Sequence, residues 1–213
     1  MIRLLSPIFF HLLFSFSISS FAGVPSELVA IEKHYGMKKS LSAQFSQVIH
    51  VFSTKTVKES SGKLQFRVPG LFRWETLKPD LSTLVSNGKL IWFYTAPFDS
   101  TEQGQVIIRK VKSVNSQFAS ALLSGSFSTV PGLRIERKST SQFQLTPSSG
   151  TAGDVEKAMI TIDPKLKVIT QVTLSHKGGN QTLIRLSQIQ LGLDLPTTRF
   201  EFQIPTNTEV ITE

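Results

Sequence analysis

Residues 62–94 constrain the fold more tightly than any other part of this chain. Leu64, Phe66 and Val68 alternate with Lys63, Gln65 and Arg67, and Phe72, Trp74 and Thr76 alternate with Arg73 and Glu75. Successive strand residues point to opposite faces, so apolar and charged residues at a period of two predict β-strands with one dry and one wet face. Ser86-Asn87-Gly88-Lys89 then separates two apolar runs. Its central Asn-Gly tolerates the positive φ of a tight hairpin. The following run, Leu90-Ile91-Trp92-Phe93-Tyr94, is apolar at every position, which predicts a strand covered on both faces. Both tryptophans fall in this segment. An antiparallel sheet with an aromatic face follows.

The same periods organise the rest of the chain. Leu41, Ala43, Phe45, Gln47, Ile49 and Val51 fall on one strand face. Before them, Pro25-Ser26 and the spacing of Leu28, Ile31 and Tyr35 predict a helix that stops at Gly36. Val114, Phe118, Ala121 and Leu122 predict a second helix ending at Gly125. Further strands are predicted over 105–111, 133–137, 142–145, 158–162, 168–174, 182–191 and 199–204, with 146–153 as a loop. The total is ten or eleven strands with two or three helices. A strongly curved sheet or partial barrel closed by helices accommodates that order.

Residues 1–22 read as a secretory signal peptide. Arg3 precedes an apolar core from Ile8 to Ile18, and Ser20-Phe21-Ala22 places small residues at the cleavage-determining positions. Cleavage after Ala22 leaves 23–213 as a single domain in the periplasm or another exported compartment. The apolar run is shorter than the ~20 residues a membrane span needs. With 40% hydrophobic and 18% charged residues over the full sequence, the composition predicts a globular rather than a disordered chain. It contains no cysteine, so neither a disulfide nor an acylated N-terminal Cys is available to it. The net charge of +8 is spread over separate basic groups (Lys38-Lys39, Arg109-Lys110 with Lys112, Arg134 with Arg137-Lys138). Scattered charge on an exported protein argues against nucleic acid as a partner.

Catalytic signatures do not emerge. No Gly-x-Ser-x-Gly elbow occurs, and the mature histidines His34, His50 and His176 are isolated from one another. No His/Cys/Asp/Glu group has metal-ligand spacing, and Gly178-Gly179-Asn180 lacks the Lys-Ser/Thr of a phosphate loop. The expectation is a binding protein with no enzymatic activity, no metal and no cofactor.

Gly62, Val68-Pro69, Phe72-Arg73-Trp74, Pro79, Asn87-Gly88-Lys89 and Trp92-Phe93-Tyr94 together resemble the central pattern of the LolA family of periplasmic lipoprotein carriers. Phe45-Ser46-Gln47, Gln105-Val106, Leu145-Thr146-Pro147 and Phe200-Glu201-Phe202 with Pro205 extend the resemblance over nearly all of 23–213. It implies a mainly β fold, an unclosed antiparallel barrel lidded by helices around a hydrophobic cavity. The function it implies is a chaperone that shields the acyl chains of lipoproteins. Cargo would come from an inner-membrane ABC transporter and pass to an outer-membrane receptor, with the carrier a monomer. On this resemblance Phe45, Phe66, Val68, Phe72, Trp74, Trp92 and Tyr94 are candidates for the acyl-chain cavity, and Leu28, Ile31, Phe118 and Leu122 for the lid. Read from the residues alone, the same apolar face is more readily an ordinary packed core, since apolar strand faces usually are core.

Binding of acylated cargo has an energetic limit. Complete burial of about 40 methylenes at ~0.8 kcal/mol each would exceed the non-covalent ceiling of roughly 20 kcal/mol, so partial shielding and handover by contact follow. One departure from the family stands out. Val68 occupies the position before Pro69 where the family carries an Arg tied to lid closure and cargo transfer. Arg67, next to it, points to the other strand face. This leaves room for a related carrier of another lipid-linked product. An envelope-stress sensor is the alternative from a different class, but such sensors need a second domain and none follows Glu213.

Overall fold

The computed structural model describes residues 23–99, 101–111 and 117–213. The predicted signal peptide, Lys112 and Val114 lie outside them. Helix α1 (Ser26–Lys38) leads into strand β1 (Ser40–Val51), followed by β2 (Thr56–Arg67), β3 (Leu71–Lys78), β4 (Ser82–Asn87), β5 (Leu90–Thr95) and β6 (Gly104–Lys110). Helix α2 (Gln117–Ser124) precedes β7 (Arg134–Arg137), β8 (Gln142–Thr146), β9 (Val155–Asp163), β10 (Val168–His176), β11 (Gln181–Leu191) and β12 (Thr208–Thr212). All these strands join one sheet in the order β12-β6-β5-β4-β3-β2-β1-β11-β10-β9-β8-β7. Strands β12 and β7 have one neighbour each, so the sheet does not close. The mainly β, unclosed architecture expected from the sequence is what forms.

Two meanders, β1–β6 and β7–β11, are joined by the long antiparallel pairing of β1 with β11, from Leu41 opposite Leu191 to His50 opposite Gln181. Curvature is helped by a register shift at Gly62, which sits opposite Phe45 on one side and Thr76 on the other. A Cβ at Gly62 would lie 1.8 Å from the Glu75 carbonyl oxygen and 2.9 Å from Cε1 of Phe45. Only glycine allows the backbones to approach so closely while an aromatic ring covers the gap.

Three expectations are corrected. Helix α1 runs past Gly36 to Lys38, because a lone glycine with nothing packed around it does not stop a helix. The turn is made by Lys39, which takes φ 61° and donates its N–H to the Tyr35 carbonyl at 2.8 Å. The strand expected over 199–204 is absent. Thr197–Phe200 forms a 3₁₀ turn, and the chain then crosses the outside of β3 and β4. The alternation of Phe200 and Phe202 serves packing rather than pairing: Phe200 is fully buried, and the Phe202 ring lies 5.4 Å from that of Tyr94. A strand forms farther along instead, β12, parallel to β6, and the sheet holds twelve strands against the ten or eleven expected.

The core lies between the helices and one part of the sheet. Leu28, Ile31 and Tyr35 of α1 and Phe118 and Ala121 of α2 pack on Leu41, Phe45, Leu64, Phe66, Phe143, Leu145, Ile160 and Ile169. The N-terminal turn of α1 is fastened to β7 by a two-pronged ion pair, Arg137 to Glu27, at 2.7 and 2.5 Å. The Arg137 guanidinium also lies 5.1 Å over the Phe143 ring. That pair holds the Glu27 carboxyl down at about 2, with the Arg137 hydrogen bond as the main cause.

Candidate functional site

The pairing of β1–β6 aligns inward-facing residues in cross-strand rows. One row runs Leu41, Phe66, Phe72, Ser86, Ile91 and Arg109. The adjacent row runs Ala43, Leu64, Trp74, Leu84, Phe93 and Ile107. Directly opposed residues on such rows stand about 5 Å apart, so the two rows make a nearly continuous apolar surface. Members of both rows, with Tyr35 of α1, Leu122 and Leu123 of α2, and Ile169, Val172, Leu174, Ile184 and Leu186 of β10 and β11, line a cavity of about 540 Å³. Arg109 is the single charged residue among the described lining.

Tyr35 joins lid and wall. Its hydroxyl accepts the Ile169 backbone N–H at 3.0 Å, beside a register shift in β10 that takes this N–H out of the regular ladder. Burial pushes the phenol up to about 12, against a smaller lowering by that hydrogen bond, so the side chain is neutral at physiological pH.

Of the cavity residues expected from sequence, Phe66, Phe72 and Trp74 line the wall. Phe45 lies in the core beside them, its ring centroid 4.1 Å from that of Trp74. Among the lid residues Leu122 reaches the cavity, whereas Leu28, Ile31 and Phe118 are buried in the core and anchor the helices. Val68 stands beyond the end of β2, 38% exposed and outside the lining, with its N–H donated to the Lys39 carbonyl at 2.8 Å. Arg67 faces outward as alternation requires, and its Nη1 donates to the Leu195 carbonyl at 2.6 Å.

Trp92 and Tyr94 require correction. They occupy the outer face of β5 with Val85, Val106, Ile108 and Phe202, while Ile91 and Phe93 face the cavity. In a strand apolar at every position the phase of the alternation is invisible. It is set by the hairpin, which pairs Ser86 with Ile91 and Val85 with Trp92. The turn itself is held by Asn87 Oδ1, which accepts the N–H groups of Lys89 and Leu90 at 3.0 and 2.9 Å. Arg109 and the β10–β11 wall were also missed. Strand β6 alternates Ile107 and Arg109 against the wholly apolar Val106 and Ile108, so its pattern points to the second pair as the inner face, whereas that pair packs outside and Ile107 and Arg109 line the cavity.

Residues 37–203 match the family described as "Outer membrane lipoprotein carrier protein LolA". The chain belongs to the LolA family. The outer-membrane lipoprotein carrier protein of Vibrio campbellii is 32% identical to this LolA-family chain over 95% of its length and 94% of the relative's. That of Azotobacter vinelandii is 30% identical, covering 82% of this chain and 83% of the relative. Among solved structures, an uncharacterized conserved protein from Thermus thermophilus superposes with a TM-score of 0.53 at 14% identity, covering 88% of this chain and 97% of that one. This last likeness is one of fold.

Proposed function

We propose that this LolA-family chain is a periplasmic chaperone that shields the acyl chains of lipoproteins in its cavity. As a monomer it takes them from an inner-membrane ABC transporter to an outer-membrane receptor. The observation that carries the reading is the cavity. It is open to solvent on one side and lined almost wholly by apolar side chains, space that a packed core would have filled. Ordinary cores hold few voids larger than a water molecule. An apolar space of this size therefore argues for a ligand that fills it, and the relatives named as lipoprotein carriers point to the same ligand class. No catalytic step belongs to the reading, since Tyr35, Ser86 and Arg109, the polar members of the wall, include no nucleophile with its base.

The test is retention of cargo. Purified protein should keep an acylated lipoprotein soluble after detergent is diluted away, and should not bind the same lipoprotein without its acyl chains. Phe72→Glu, which places a charge on the wall, should abolish retention in a protein that stays folded. Equal binding of acylated and unacylated cargo would refute the reading. Export adds a separate check: N-terminal sequencing of periplasmic protein should begin at Gly23, and an intact Met1 terminus on a membrane-bound form would exclude the signal peptide.

A further inference from the structure

Arg109 is a guanidinium set into an otherwise apolar wall. Its row partner is Ile91, its neighbours two residues away along the chain are Ile107 in β6 and Val111 just past its end, and all four line the cavity. Its partner is the side chain of Glu213: Arg109 Nε donates to Oε2 at 2.7 Å, and Nη2 pairs with the same oxygen. Glu213 is brought there by β12, whose parallel pairing with β6 continues with the Glu213 N–H donated to the Ile108 carbonyl at 3.0 Å. Both side chains are 48% exposed. A half-exposed pair of this kind contributes little to stability, because water and salt compete for both charges. Holding the fold together therefore does not explain a charge at this place.

We propose that Arg109 is a headgroup site through which the cavity also takes free amphiphiles with an oxyanion, phosphate or carboxylate, close to the acyl chain, a group that the acylated cysteine of a lipoprotein lacks. This rests on the reading of the cavity as an acyl-chain site. The Glu213 carboxylate stands in for that oxyanion when the cavity is empty. A ligand lying along Phe93 and Ile107 brings its polar end to the level of Ile91 and Arg109. There the planar guanidinium receives two oxygens in parallel, a geometry that a single Glu213 oxygen does not satisfy. The ligand's chain is buried as its headgroup binds, so exchange of one oxyanion for the other accompanies loading.

The experiment uses the mature chain with a neutral fluorescent probe of apolar cavities, displaced in turn by palmitate, lysophosphatidylglycerol and an uncharged monoacylglycerol of equal chain length. The expected result is displacement by the lysophosphatidylglycerol or palmitate at ~10-fold lower concentration than by the uncharged monoacylglycerol, a margin that narrows at high salt. Whether one anion or both show it separates phosphate from carboxylate as the headgroup. Arg109→Gln should erase the margin and Arg109→Lys should keep part of it. Glu213→Gln, which removes the competing carboxylate, should widen it. Equal displacement by all three lipids, or a margin that survives in Arg109→Gln, overturns the proposal while leaving the acyl-chain cavity standing. Failure of every lipid to displace the probe overturns the cavity reading, and the proposal with it. Circular dichroism of each variant confirms the fold, and Glu213→Gln tests the exchange independently of any change to the wall.

Discussion

Trp92 and Phe93 are adjacent in sequence and lie on opposite faces of one strand, so substituting each in turn separates packing from binding. Trp92 is 7% exposed beneath the segment that carries Phe202, whereas Phe93 is 45% exposed and lines the cavity. Trp92→Ala empties a filled site and should cost about 3–5 kcal/mol. At roughly 2–4 °C per kcal/mol for a chain of this size, the melting temperature should fall by roughly 6–20 °C. Phe93→Glu forfeits only the buried half of one ring, about 1 kcal/mol, because its carboxylate reaches water in the empty cavity. A bound acyl chain would strip that water, and the several kcal/mol this costs corresponds to a loss of affinity of more than ~100-fold. Urea unfolding followed by far-UV circular dichroism, beside displacement of an apolar fluorescent probe, reads both effects. Trp92→Ala should melt early and bind normally while folded; Phe93→Glu should melt near the parent and not bind. The opposite assignment, with Phe93→Glu unfolding the protein or Trp92→Ala abolishing binding without a stability change, would refute the assigned faces of β5.

Gly62→Ala places a methyl group against the Glu75 carbonyl and the Phe45 ring, and should destabilise by about 3 kcal/mol, at the upper end of overpacking costs, as measured by urea titration. Tyr35→Phe leaves the buried Ile169 N–H without its acceptor and should cost about 1–3 kcal/mol in the same measurement. The raised phenol also makes the parent lose stability as pH climbs from about 10 through about 12, because the folded state binds the proton more tightly than the unfolded one. Tyr35→Phe should lack that alkaline loss. The depressed Glu27 carboxyl works in the other direction: its contribution is present above about 4.5 and disappears as pH falls through about 2. The stability difference between the parent and Glu27→Gln should therefore be measurable at pH 6 and vanish near pH 2.

Where local chemistry decides a structural feature, the sequence was sufficient. Leu64, Phe66, Phe72 and Trp74 showed their inner face through alternation with charged neighbours, and Asn87-Gly88 announced the hairpin that the Asn87 side chain closes. The family was legible in that same segment. Tertiary structure decided what local pattern leaves degenerate. The phase of β5 depended on its pairing with β4, which turned Trp92 and Tyr94 outward. Phe200 and Phe202 alternate like a strand, yet pack on the outside of the sheet, because the edge beside β6 is taken by β12 from farther along the chain. The wall from β10 and β11 and the placement of Arg109 beside Glu213 arise from contacts across more than one hundred residues. Side-chain direction along a strand repeats every two residues and is written locally, but which of the two faces becomes the inside is fixed only when distant strands pair and the helices cover one side of the sheet.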